Sequence, residues 1–176
     1  IATINPYCKV LEVEEFVEPD NLSQMIGQHG FDYVIDAIDS VKAKTALIAY
    51  CREQKIPLIT IGAAGGQTDP CKIEIRDLSR TEQEPLLALV RKRLRQNFGF
   101  PRGSKSKFGI DAVFSMEALT MPETAETAEA CAVDGSNGIS GLNCAGFGSS
   151  IVVTASFGLA AAAHVLRKLA FEKNVD

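Results

Sequence analysis

Apolar positions along this chain fall into two kinds of run, and the difference between them predicts a fold. Tyr33-Val34-Ile35-Asp36-Ala37-Ile38 and Leu58-Ile59-Thr60-Ile61 are mostly apolar without alternation, as expected of strands covered on both faces by helices. Lys72-Ile73-Glu74-Ile75-Arg76 alternates strictly, so it has one wet face and predicts an antiparallel extension of the sheet. Between the first two runs, Ser40 to about Lys55 favours helix. Ala43, Ala46, Leu47 and Ala49 are good formers, Leu47, Ile48 and Cys51 make an apolar stripe, and Ile56-Pro57 supplies the stop. Upstream, Cys8 to Val13 has the composition of a strand, and Pro19-Asp20-Asn21 starts a short helix to about Gly27. The β-α-β-α-β order predicts a parallel, right-handed, doubly wound sheet. In such sheets ligands sit beyond the carboxyl ends of the strands.

Later elements modify this plan. Pro85 to Phe98 predicts an amphipathic helix, with Leu86, Leu87, Leu89, Val90 and Leu94 opposite a strongly basic face, and Gly99 to Gly109 a Gly/Ser/Lys loop. Pro122 to Gly141 is polar and then Gly/Ser-rich, the composition of a mobile connection. The last element, Ile151 to about Phe171, is apolar as far as Leu166 and then carries Arg167 and Lys168. That run falls short of the roughly twenty residues a bilayer needs, and Thr154, Ser156, Gly158 and His164 interrupt it. It predicts a buried or dimer-facing helix without stable membrane insertion. The expected class is therefore α/β, a doubly wound, mostly parallel Rossmann-like sheet with an antiparallel extension and a C-terminal helix, all within one domain over 1–176.

Composition narrows the partners. With 176 residues, 46% of them hydrophobic, the chain can bury one substantial core. At a net charge of −4, any nucleic-acid contact must come from a local basic patch. The cysteines, Cys8, Cys51, Cys71, Cys131 and Cys144, form no Cys-x-x-Cys pair, which argues against structural zinc. Unpaired thiols and the lack of a signal-like start point to a reducing cytoplasm. Cys8, Cys51 and Cys71 fall on predicted strands or on the helix stripe and are expected in the core. Ile1 to Pro6 reads as the last turn of a helix with no cap before it, as in a piece of a longer chain.

Candidate chemistry gathers at the carboxyl end of the Tyr33–Ile38 run. Asp36 and Asp39 sit there, and a helix starting at Ser40 offers N–H groups and a positive dipole end, a locale suited to nucleotide phosphate and magnesium. The bland alternative is that Asp39 or Ser40 merely caps the helix. Lys42 and Lys44, in the first turn, oppose the dipole, and a negative ligand nearby would explain them. Cys144 lies in a small-residue turn before the last helix, where a thiol can be activated as nucleophile or sulfur carrier, or can be simply an inert buried thiol. Arg91, Lys92, Arg93 and Arg95, then Arg102, Lys105 and Lys107, form the one dense basic tract, interleaved with Phe98, Phe100 and Phe108. That mixture suits phosphate contacts and base stacking on single-stranded RNA, although a solvated helix face and loop would read the same. Gly62 to Gly66 lacks dinucleotide-fingerprint spacing and reads as a tight backbone passage near the nucleotide. His29 and His164 read as structural.

Val34-Ile35-Asp36-Ala37-Ile38-Asp39-Ser40 followed by Lys42-Ala43-Lys44 resembles the segment in which E1-like enzymes of the ThiF/MoeB/HesA superfamily bind nucleotide and magnesium. Ser after the second Asp, together with Ile56-Pro57-Leu58-Ile59-Thr60, Gly65-Gly66-Gln67-Thr68-Asp69-Pro70, Asp77-Leu78, Thr81 and Pro85-Leu86, is similar to the branch of tRNA threonylcarbamoyladenosine dehydratases. The resemblance spans nearly the whole chain. It implies an ATP-dependent enzyme that adenylates and cyclises the threonylcarbamoyl group beside the tRNA anticodon, with Asp39, Ser40 and Lys44 at the ATP and Asp39 at Mg2+. It further implies Cys144 as acceptor in a cysteine-desulfurase system, the basic tract as tRNA contact, and a homodimer. In this superfamily a glycine-rich nucleotide loop would precede Ile1, so the chain alone is expected to be inactive. One rival is a MoeB- or ThiF-type activator of a ubiquitin-like sulfur carrier, against which the missing zinc cysteines argue. The other is a non-catalytic binding fragment.

Overall fold

The computed structural model describes residues 1–103, 105–120 and 148–172. In chain order the main elements are β1 (Val34–Asp36), α1 (Val41–Glu53), β2 (Leu58–Ile61), β3 (Ile73–Asp77), α2 (Pro85–Asn97), β4 (Asp111–Ser115) and α3 (Ile151–Arg167). The sheet order is β1-β2-β4-β3. β1 and β4 run parallel to β2, and β3 runs antiparallel to β4, from Ile73 opposite Ser115 to Asp77 opposite Asp111. The two non-alternating runs are thus parallel strands and the alternating run is the antiparallel edge. β2 is covered on both faces as expected, but β1 is itself an edge strand whose outer face is uncovered, leaving Ile35 47% exposed.

β4 is a strand the sequence pattern did not reveal, and it lies between β2 and β3. Its residues are covered on both sides. Ala112 and Phe114 pack in the core shared with α1 and α2, while Val113 packs in the core beneath α3. With both faces covered there is no polar alternation, and the Gly/Ser/Lys loop before it hides its start. Cys8–Val13 is not a strand. Val10, Leu11 and Val13 are 51%, 69% and 50% exposed, and among the described residues no neighbouring strand pairs with their backbone, without which strand composition has nothing to order it. The helix expected to end near Gly27 shrinks to one π-turn, Ser23–Gly27, behind a buried Leu22. Cys51 is buried as expected, and burial, with the nearby charge of Asp36, pushes its thiol up to about 11. Cys8 and Cys71 are exposed, a correction that follows from the missing strand at one and the turn Pro70–Lys72 at the other.

α1 and α2 cover one face of the sheet through Leu47, Ile48, Leu87, Val90 and Leu94. α3 covers the other through Val153, Phe157, Ala161 and Val165 against Ile59 and Val113. The helical run Ile151–Phe171 is 21 residues long, so it meets the length and composition for crossing a membrane that the shorter apolar run did not.

Two carboxylates, Glu84 buried and Asp77 half-buried, tie down the chain around these layers. Glu84 caps α2, accepting from the Leu86 and Leu87 amides, and reaches back to the Ala63 amide at 2.9 Å. A Cβ on Gly62 would lie 2.9 Å from Glu84 Cγ and 3.2 Å from Leu87 Cδ1. Gly62→Ala is therefore expected to cost about 1–3 kcal/mol in urea denaturation, because three hydrogen bonds hold Glu84 in place. Asp77 accepts from the amides of Ser79, Phe108 and Gly109 at 2.9, 3.0 and 2.7 Å. Burial acts to raise its pKa, but these donors lower it further, to a net position below the ordinary 3.8. Its contribution to stability is complete above 3.8 and is lost as pH falls through the lowered folded value. Asp77→Asn is expected to flatten that part of the acid limb in a stability–pH titration.

Candidate functional site at the carboxyl end of the first strand

The turn from β1 into α1 is held from below. Asp36, the last residue of β1, accepts the Ile38 amide on Oδ1 at 3.0 Å, which shapes the turn carrying Asp39. Its Oδ2 accepts the Thr60 hydroxyl at 2.7 Å and the Lys44 ammonium at 2.9 Å. Thr60 stands directly opposite Asp36 in the parallel register of β1 and β2. Lys44 Nζ also donates to Thr60 Oγ1 and to the Ile61 carbonyl, each at 3.0 Å. Both charged side chains are fully buried. Such a pair recovers its desolvation cost only with every donor and acceptor used, and here they are used.

Above this layer, Asp39 and Ser40 are exposed and line a cavity of about 420 Å³ with Glu15, Glu18, Ile38 and Lys42. Ser40 caps α1, its hydroxyl accepting the Ala43 amide at 3.4 Å, so the capping role belongs to Ser40. Lys44 does not face the cavity. The negative group that explains this first-turn lysine is Asp36, inside the protein, and the lysine beside Asp39 is Lys42. The clue lay in the sequence: Lys44 precedes Leu47, Ile48 and Cys51 on the same apolar stripe at helical spacing. Among the described residues no group of three or more His, Cys, Asp or Glu side chains could hold a metal. A single exposed carboxylate such as Asp39 would hold magnesium only in the mode in which one or two carboxylates share the ion with phosphates and water.

The basic tract divides. Arg91 is half-buried and donates to the Thr81 hydroxyl, and burial, reinforced by Arg95, lowers its pKa. Arg95 lies over the Phe108 ring at 5.0 Å. Arg93 lines a second cavity, between α1 and α2. Arg102, Lys105 and Lys107 are exposed. Phe100 and Phe108 are only 3% and 4% exposed and pack edge to face, so they are core side chains and cannot stack on bases, while Phe98 is 46% exposed. Gly66, at φ 72, donates to the Gly148 carbonyl and accepts from the Thr120 amide, a tight passage as expected. His164 bonds Asp111 at 2.8 Å and Arg167 at 3.3 Å, a structural role. Cys144 and Cys131 lie outside the described residues.

The ThiF family profile matches residues 1–175. This chain belongs to the ThiF family. The ThiF-family chain is 50% identical over 171 residues to the tRNA threonylcarbamoyladenosine dehydratase of Escherichia coli, covering 96% of itself and 63% of that protein. It is 47% identical over 175 residues to the enzyme of that name from Haemophilus influenzae, covering 99% of itself and 64% of the relative. It therefore spans less than two thirds of the length of these relatives. A crystal structure of the Escherichia coli dehydratase in complex with ATP superposes with a TM-score of 0.79 at 47% identity, covering 96% of this chain and 59% of that one. The mixed sheet with helices on both faces is thus the E1-like, Rossmann-type fold of that enzyme, as the doubly wound pattern led us to expect.

Proposed function

We propose that this chain works within an ATP-dependent tRNA threonylcarbamoyladenosine dehydratase. The observation that carries the reading is 50% identity over 171 residues to an enzyme of that activity. A carboxylate is a poor electrophile. One of its oxygens attacks the α-phosphorus of ATP, pyrophosphate leaves, and the resulting acyl adenylate is attacked from within the same side chain. AMP departs with the carboxyl oxygen, the attacking group gives up its proton, and the nucleoside has lost one water.

In this reading Asp39 lies at the triphosphate and holds magnesium, which when bound offsets phosphate charge. Ser40 fixes the start of α1 beside it, and Lys44 acts through Asp36 and Thr60, setting the turn's height under the nucleotide. Cys144 accepts sulfur from a cysteine-desulfurase system, a role supported by its small-residue sequence context, Asn143 to Ser149. A cytoplasmic location is supported by the free thiols Cys8, Cys51 and Cys71. A homodimer is supported by the outer face of α3, where Ile151, Leu159 and Leu166 are 77%, 71% and 66% exposed. The inner face of α3, packed on the sheet, supports a helix that stays with the fold and does not insert in a membrane.

The test incubates the full-length protein with ATP and tRNA bearing threonylcarbamoyladenosine and reads the modified nucleoside by mass. Loss of one water is expected. No conversion, with AMP appearing on a small Gly-Gly-ended protein instead, would transfer the chain to the sulfur-carrier activators.

A further inference from the structure

The cavity between α1 and α2, about 600 Å³, is a different place from the one at Asp39, yet the two adjoin, sharing Pro19 and Lys42 in their walls. Its walls combine two chemistries. Lys42, Arg52 and Arg93 bring positive charge against the single carboxylate of Glu53, and among the described residues none of the three cations is in an ion pair. Flat surfaces accompany the charge. Phe98 is 46% exposed, Tyr50 is half-buried, and the Arg52 guanidinium lies over the buried Phe100 ring at 4.1 Å. A guanidinium over an aromatic ring keeps its edge N–H groups for phosphate and can present its outer side to a planar ligand. Unpaired cations select an anionic partner. Planar faces beside them select bases over acidic side chains, because bases stack on aromatic rings and on guanidinium planes.

We propose that the groove between α1 and α2 is a track for a single-stranded RNA segment, gripped by Lys42, Arg52 and Arg93 and stacked on Phe98, leading to the cavity at Asp39. The proposal rests on the tRNA-modifying reading and locates where that substrate is held. It assigns Lys42 and Arg52, which lie outside the basic tract, and it retains Arg93 and Phe98 from that tract. Arg91, which donates to Thr81, and Arg95, which lies over Phe108, do not line this cavity. The geometry also sets a direction. Lys42 stands in the wall common to both cavities, so a strand lying along α1 from Arg52 passes it before reaching Asp39.

The test uses full-length protein, an anticodon stem-loop RNA as probe, and two variants, Arg52→Gln/Arg93→Gln and Phe98→Ala. Affinity is read as a function of salt and conversion as a function of tRNA and ATP. We expect each variant to weaken RNA binding about tenfold or more. The double variant should also lower the salt slope by about 1.4, at about 0.7 for each phosphate left without its cation on a single strand. KM for tRNA should rise while KM for ATP and the melting temperature stay at wild-type values, a split that a merely structural role would not produce. The exposed Phe98 can be removed without disturbing the core, so its variant reports on binding even if the double variant folds poorly. Unchanged affinity and salt slope in both, with wild-type conversion intact, would overturn the groove alone, as would tighter competition by an acidic peptide than by RNA. Wild type that neither binds nor converts tRNA would overturn the functional reading as well.

Discussion

Asp39→Ala in the full-length protein is expected to lower ATP-dependent conversion by about 100- to 1,000-fold, the usual loss when one preorganised charge-stabilising group is removed. Its melting temperature should barely move, because Asp39 is exposed and the turn it occupies is held by the Asp36–Ile38 hydrogen bond and by the Ser40 cap. The opposite pairing of effects is expected at the neighbouring position. Ser40→Ala removes a capping acceptor and should cost about 1 kcal/mol of stability with a far smaller loss of turnover. Measuring both variants for conversion and for thermal unfolding separates a nucleotide role from a capping role. Full activity in Asp39→Ala would remove Asp39 from the proposed site.

Lys44→Met carries the largest expected loss of stability, about 3–5 kcal/mol, because it leaves the fully buried Asp36 carboxylate without its cation. The same change at an exposed lysine would fall within about 0.5 kcal/mol. The pair itself need not be worth that much. Asp36→Asn/Lys44→Met removes both charges, keeps an acceptor for the Ile38 amide, and should recover most of the loss. Urea denaturation of the two single variants and the double variant gives the coupling directly. Additive losses would mean that Lys44 and Asp36 do not act on each other. Lys44→Arg is also expected to destabilise, since a guanidinium is too large for a site in which Asp36, Thr60 and Ile61 converge on one ammonium nitrogen at 2.9–3.0 Å.

The site was legible in part. An apolar run ending in Asp39 and followed by a helix start is a local pattern, and the structure places Asp39 and Ser40 together at one cavity there. The buried lysine was visible only as a cation on an apolar stripe, since its partners Asp36 and Thr60 come from two strands. Phe100 and Phe108 read as available aromatics because basic residues surround them, but the chain turns both rings into the core against each other.

Local order along the chain determined the kind of each main element. The non-alternating runs are parallel strands, the alternating run is the antiparallel edge, and α1 and α2 start and stop beside their caps and prolines. These features depend on residues within a few positions of each other, so a one-dimensional pattern carries them. Tertiary structure alone decided that β4 enters between β2 and β3, that Cys8–Val13 stays unpaired, and that Lys44 turns inward. Each of those outcomes depends on what lies across the sheet or beneath the helix. Covering a side chain or pairing a strand requires a neighbour distant in sequence, and periodicity does not name that neighbour.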